Sequence, residues 1–160
     1  MALIHRNSGE IYATDYGQVH QTELKKVNRL NGWNGFDWAS YLKNENCFLY
    51  KLRVKGDPSI QGLICMEPME GWVEVRLAES APWNIGSKEQ FFVGVGSHLF
   101  ALACRKSFEL GFEGFVAFHA KSQLIGYYQK TFGAMVIDRR TRRMVINTAH
   151  ADILVQTYFD

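Results

Sequence analysis

No apolar run in this 160-residue chain approaches the ~18 residues that a membrane-spanning helix requires. Nor does Met1-Ala2-Leu3-Ile4-His5-Arg6 carry the apolar centre of a secretion signal. The three cysteines, Cys47, Cys65 and Cys104, are scattered, with no C-x-x-C pair and no closely spaced His/Cys set, so neither a zinc site nor a disulfide framework is expected. Small buried thiols fit their apolar surroundings better than a catalytic nucleophile, and a reducing cytoplasm is the expected compartment. The formal charge of +2 is too small to imply a nucleic-acid or membrane partner. Internal repeats, low-complexity stretches and linkers are absent too, so a single domain over residues 1–160 is expected. A hydrophobic content of 47%, with 14% aromatic, argues for a packed core.

The middle of the chain is the most readable. Phe48, Tyr50, Leu52 and Val54 alternate with Leu49, Lys51, Arg53 and Lys55, the period of a half-buried strand. Gly56-Asp57-Pro58 marks a turn, Ile60 to Glu67 supplies a second strand, and Glu70-Gly71 turns the chain into a third, Trp72 to Glu79. These three are expected to pair as an antiparallel meander. Ser97 to Leu110 then predicts a helix stopped by Gly111, followed by an apolar strand, Phe115 to Phe118. Ser122 is placed as the cap of a second helix, which runs through Phe132 and ends at Gly133. Two strands, Met135 to Asp138 and Met144 to Asn147, flank a basic turn, and Asp152 to Phe159 makes a final short helix or tail.

The stretch before Cys47 says least. Thr22 to Leu30 predicts a short helix with Leu24, Val27 and Leu30 on one stripe. Asp37 is placed as the N-cap of a helix over Trp38 to Lys43, and the aromatics of Gly32 to Trp38 are expected to pack against the body of the domain.

The run Gly94-Val95-Gly96-Ser97-His98-Leu99 carries the chemistry. A helix start leaves N–H groups without partners at the positive end of the dipole, and glycines ahead of it let a ligand approach the backbone. The site suits a phosphate or pyrophosphate. It lacks the Gly-Lys-Ser/Thr that a P-loop nucleotide hydrolase requires.

A meander, then strand, G-x-G loop, helix, strand, helix and a closing strand pair resembles the GNAT N-acetyltransferase superfamily. The likeness runs over roughly Cys47 to Asn147. The family's R/Q-x-x-G-x-G/A reads here Phe91-Phe92-Val93-Gly94-Val95-Gly96, with Phe91 at the leading position and Gln90 one place earlier. Its second motif reads Lys121-Ser122-Gln123-Leu124-Ile125-Gly126-Tyr127-Tyr128, with Lys121 for the usual asparagine and Tyr128 one residue further from Gly133 than is usual. The segments Trp33 to Trp38 and Ala78 to Gly86 are similar to those of a bacterial subgroup of unassigned substrate.

The resemblance implies an α+β fold with a mixed sheet, an antiparallel N-terminal meander and then β-α-β-α-β. It implies acetyl-coenzyme A as co-substrate, no metal, and a primary amine of a small molecule or of a protein or aminoacyl substrate as acceptor. The alternative is a non-catalytic module of the same fold that binds a cofactor or a protein.

An alkylammonium of pKa ~10.4 must lose its proton before it attacks. Glu74 and Glu79, on opposite faces of their strand, compete with a chain of waters for that role. Tyr128 is the expected general acid toward the thiolate, with Tyr127 as the fallback. Backbone groups of Ala78 and of Val93, Gly94, Val95, Gly96, Ser97 and His98 are expected at the cofactor. Ser97 and His98 have side chains placed to add hydrogen bonds, although His98 reads better as a surface histidine of the first turn. Lys121 faces either a cofactor phosphate or water, and His119 reads as a structural histidine at a strand end. Residues 80–93 form either a lid, an acceptor element or a surface insertion. Arg139, Arg140, Arg142 and Arg143 make a basic hairpin tip, a solvated edge guard or an attractor of tRNA. Monomer and homodimer are both compatible with the sequence.

Overall fold

The structure is a computed structural model and describes residues 1–85 and 91–159. Gly86 and Gln90, both invoked above, lie outside the described residues. Among the described residues the strands are β1 (Ala2–His5), β2 (Ile11–Gln18), β3 (Phe48–Val54), β4 (Ile60–Pro68), β5 (Val73–Ser80), β6 (Phe92–Val93), β7 (Val116–His119), β8 (Met135–Asp138) and β9 (Arg143–Ile146). The α-helices of the described residues are α1 (Trp38–Tyr41), α2 (Val95–Glu109), α3 (Ile125–Phe132) and α4 (Thr148–Phe159). The hydrogen-bonded strand order is β6-β1-β2-β3-β4-β5-β7-β9-β8. This is the mixed α+β architecture expected, with the three meander strands adjacent in the sheet.

Two compact units divide the chain, Met1–Cys65 with Leu77–Leu99, and Met66–Arg76 with Phe100–Asp160. In the first, β2 pairs antiparallel with both β1 and β3, and β1 pairs antiparallel with β6. A hydrophobic core gathers Leu24, Trp33, Trp38, Leu49, Leu63 and Leu77. The expected packing of the 32–38 aromatics is what the fold shows, since Trp33 and Trp38 are buried. The predicted helix over 22–30 is instead two 3₁₀ turns, Gln21–Lys26 and Arg29–Asn31. Leu30 is 97% exposed, so the proposed stripe ends at Leu24 and the half-buried Val27. Asp37 precedes α1 but makes no side-chain cap; its carbonyl accepts from the Ser40 N–H and hydroxyl.

In the second unit, β5 and β7 pair in parallel through Val73–Val116, Glu74–Ala117 and Val75–Phe118, while β9 joins β7 and β8 antiparallel. Val73, Val116 and Ile146 line up across three strands and are fully buried, forming the floor of this core. Helix α3 stops at Gly133, whose φ of +65° strains any residue with a Cβ. A Cβ there would also sit inside the His150 ring. Helix α4 begins earlier than the sequence suggested because Asn147 is its cap rather than a strand residue. The Asn147 Oδ1 accepts from the His150 N–H at 3.1 Å.

Candidate active site

In the first unit, the start of α2 is built from three supports. Gly94 has a φ of +86°, a left-handed conformation that turns the chain from β6 into the helix. The first intrahelical bond runs from the His98 N–H to the Gly94 carbonyl at 2.9 Å. The N–H groups of Val95, Gly96 and Ser97 therefore precede it and have no intrahelical acceptor. Space is open where a Gly96 side chain would stand. The helix begins two residues earlier than Ser97, so the second glycine belongs to its first turn.

Beneath that turn, Gly62 of β4 lies so close that a Cβ would come within 2.8 Å of Val95 Cγ1 and 3.0 Å of Leu99 Cδ1. The third support is a polar clamp. Asn84, from the 3₁₀ turn Pro82–Asn84, is buried; its amide donates to the Gln61 side-chain oxygen at 2.9 Å and its carbonyl accepts from the Phe92 N–H at 3.0 Å. The clamp fixes the strand that leads into Gly94. Nothing in the sequence pattern flagged Gly62, Gln61 or Asn84; a polar residue in the otherwise apolar Ile60-to-Met66 run was the available signal.

The expected surface position of His98 is overturned. The ring is 1% exposed, and its Nε2 lies 3.0 Å from the Thr14 hydroxyl of β2. Ser97 is buried as well. Burial lowers the His98 pKa to about 4, so the imidazole is neutral in the folded state at neutral pH. The unfolded state then binds more protons between the ordinary value of 6.5 and about 4. Stability is expected to fall as pH drops through that window, by up to about 3 kcal/mol. Urea titrations from pH 7 to pH 4 should show a shallower loss in His98→Gln than in the parent.

The two candidate bases are both engaged. Glu79, at the end of β5, accepts from the Gly35 N–H at 2.9 Å and from Trp38 Nε1 at 2.7 Å, which ties the 32–38 segment to the strand. Arg76, two strand positions before Ala78, bonds Glu67 at 2.8 Å.

In the second unit, Glu74 is 3% exposed and accepts from Arg143 at 2.8 and 2.5 Å and from Trp72 Nε1 at 3.0 Å. Burial pushes its carboxyl up, but the hydrogen bonds from Arg143 and Trp72 and the charges of Arg143 and Arg76 outweigh that and hold it below the usual range. A carboxylate so stabilised is a poor proton acceptor.

Tyr128 packs among Phe100, Phe118 and Phe132, with ring centroids 5.0 to 5.7 Å away. Burial, with the neighbouring Tyr127, raises its pKa, so the phenol stays protonated and able to donate. Tyr127 is 48% exposed. Lys121 and His119 are exposed, Lys121 heading the 3₁₀ turn Ser122–Leu124 and His119 closing β7.

The arginines do not form one cluster. Arg143 is drawn to Glu74 and the Arg142 Nε donates to the Ala120 carbonyl at 3.0 Å, which leaves Arg139 and Arg140 at the exposed tip. Burial pushes the Cys104 thiol up to about 12, too high for a nucleophile. Among the described residues no His/Cys/Asp/Glu group is arranged to hold a metal, and no helix is long and apolar enough to cross a membrane.

Compared by sequence, the chain matches no family model and no curated protein. Compared by structure, it has the GNAT acetyltransferase fold. A probable GNAT-family acetyltransferase from Chromobacterium violaceum superposes with a TM-score of 0.62 at 16% identity, covering 94% of this chain and 88% of that one. The AtaTR structure bound with acetyl-coenzyme A gives 0.59 at 13% identity, covering 89% and 98%. The PaiA N-acetyltransferase from Thermoplasma acidophilum in complex with coenzyme A gives 0.56 at 11% identity, covering 84% and 99%.

Proposed function

We propose that the chain is an acetyl-coenzyme A-dependent N-acetyltransferase that transfers the acetyl group directly to a primary amine. The observation that carries the reading is the start of α2. Three N–H groups without intrahelical acceptors stand at the positive end of a long helix, over an open first turn, in a fold that the AtaTR and PaiA structures share, one bound with acetyl-coenzyme A and the other in complex with coenzyme A.

Backbone groups of 93–98 hold the pyrophosphate, and the Ala78 N–H at the end of β5 receives the carbonyl oxygen of the thioester. The neutral amine attacks that carbonyl, a C–N bond forms as the C–S bond breaks, and the thiolate leaves with a proton, a donor role that the resemblance of the second motif assigns to Tyr128. Because Glu74 and Glu79 are both committed to other donors, the ammonium proton departs through water. The His98 side chain supports the helix from below instead of touching the cofactor.

Titration with acetyl-coenzyme A is expected to raise the melting temperature, the native state gaining ~2.7 kcal/mol at a hundred times the dissociation constant. ATP or NAD alone should leave it unchanged; a shift with either nucleotide overturns the reading. Tyr128→Phe keeps the ring in its aromatic cluster and removes only the hydroxyl. It is expected to lower kcat about a hundredfold with unchanged affinity for acetyl-coenzyme A, whereas Tyr127→Phe stays near the parent in the same thiol-release assay.

The engagement of both carboxylates also favours one other reading, a cofactor-binding module without turnover. Tight binding of acetyl-coenzyme A with no thiol released by any amine decides for it.

A further inference from the structure

The first unit contains a cavity of about 580 Å³ that the reaction just described does not use. Its size falls within the range of small-molecule sites. The first 3₁₀ turn and the residue that closes it contribute Glu23, Lys26 and Val27 to its wall, Trp33 and Trp83 add two indoles, and Ile60 opens β4 beside them.

The indoles stand edge to face, with centroids 6.3 Å apart and planes at 86°. Trp33 is buried, and Trp83 is held by a hydrogen bond from its Nε1 to the Gln61 side-chain oxygen at 2.8 Å. A rigid aromatic corner of this kind favours a flat apolar body, because little side-chain entropy is lost on contact.

Charge selects further. Glu23 is ion-paired with Lys51 and accepts the His20 N–H, so its charge is already balanced. Lys26 is exposed and makes no ion pair among the described residues, which leaves the wall with one uncompensated cation. The cavity is also tied to the cofactor position. Trp83 shares its 3₁₀ turn with Asn84, whose side chain holds the Phe92 N–H just before Gly94.

We infer that this cavity holds the acceptor, and that the acceptor is a primary amine on a flat apolar body with an anionic group at its far end. The assignment rests on the acetyltransferase reading above and adds the substrate class to it. The corner of Trp33 and Trp83 takes the ring and Lys26 takes the anion. The amine is left to attack the thioester in the balanced step already given, so C–N forms, C–S breaks and the ammonium proton passes to water. Polycations are disfavoured, since Lys26 repels them and Glu23 has no charge to spare.

The test compares 4-(aminomethyl)benzoate, benzylamine and spermidine as acceptors in a thiol-release assay. The carboxylated ring is expected to exceed both others at least tenfold in kcat/KM. Lys26→Glu, a surface change with little effect on folding, should bring the ratio of carboxylated to plain ring to one or below. Trp83→Ala should raise KM for both ring-bearing amines at least tenfold.

A preference for spermidine, or a ratio untouched by Lys26→Glu, overturns the assignment. Isothermal titration of 4-(aminomethyl)benzoate into the chain without acetyl-coenzyme A separates the two claims. Binding that Lys26→Glu weakens, in a protein that shows no acetyl transfer, retains the cavity as a site for this ligand class and removes the reaction. Transfer to amines without such binding does the opposite.

Discussion

Replacing Arg143 with leucine is expected to destabilise the second unit by about 3 kcal/mol at neutral pH, the cost of leaving a buried carboxylate without its partner. Glu74 is almost wholly buried, and Arg143 supplies two of its three hydrogen bonds. The pH dependence reveals the cause. In the parent, the folded pKa of Glu74 lies below the ordinary 4.5, so its contribution is present above 4.5 and is lost as pH falls through the folded value. Without Arg143, burial dominates and the folded pKa lies above 4.5. The variant then gains stability, relative to its value at neutral pH, as pH falls toward 4.5. The gap between the two proteins should therefore narrow on acidification in urea titrations monitored by far-UV circular dichroism. Adding Glu74→Gln to Arg143→Leu removes the stranded charge and should recover more than half of the loss. A gap that stays constant with pH, or a double variant no better than the single one, would show that the pair does not work as described.

The second large effect is at Gly62. A valine there places its Cβ and two methyl groups in volume held by Val95 and Leu99, with the Glu79 carbonyl 3.4 Å away on the strand side. Sheet backbone yields less readily than a helix end, so the first turn of α2 is expected to lift by about an ångström. Overpacking of this kind costs about 1–3 kcal/mol. The functional loss should be larger than the structural one, because the N–H groups of Val95 to Ser97 must converge within hydrogen-bond range. Affinity for acetyl-coenzyme A is expected to fall more than a hundredfold while the far-UV spectrum is kept. Gly96→Ala, which meets open space, serves as the control for adding a methyl group to the same helix start and should leave the fold unperturbed. Parent-like cofactor affinity in Gly62→Val would mean that the height of this turn does not matter.

The legible parts of the fold were those in which local pattern and tertiary environment agree. The strand over Phe48 to Val54 was legible, but its alternation did not hold: Leu49 and Lys51 on one face and Leu52 and Val54 on the other are all buried, Lys51 through its pairing with Glu23, while Phe48 is exposed. Strands β2 and β6 escaped notice. β6 spans only Phe92–Val93, and β2 carries Asp15 and Gly17 within its run, so neither offers a recognisable period.

The error at His98 follows from that omission. A histidine in a first helical turn reads as exposed unless one knows that Thr14 lies against it, and Thr14 belongs to the unseen β2. The candidate site divides in the same way. Gly94 and Gly96 announce themselves by type and spacing. Arg143, which pairs with Glu74, and Trp38, which bonds Glu79, lie 69 and 41 residues away along the chain, and no local signal connects residues so far apart.

The three thiols acquire a use from their different depths. Cys47 is partly accessible, whereas Cys65 and Cys104 are sealed, one in each compact unit. An alkylating reagent added to the native protein should therefore mark Cys47 promptly and reach the other two only when their surroundings open. In a Cys47→Ser background, separate labelling rates at Cys65 and Cys104 would measure how often each half of the molecule unlocks. The chain thus carries two internal clocks that read breathing motions without any added probe.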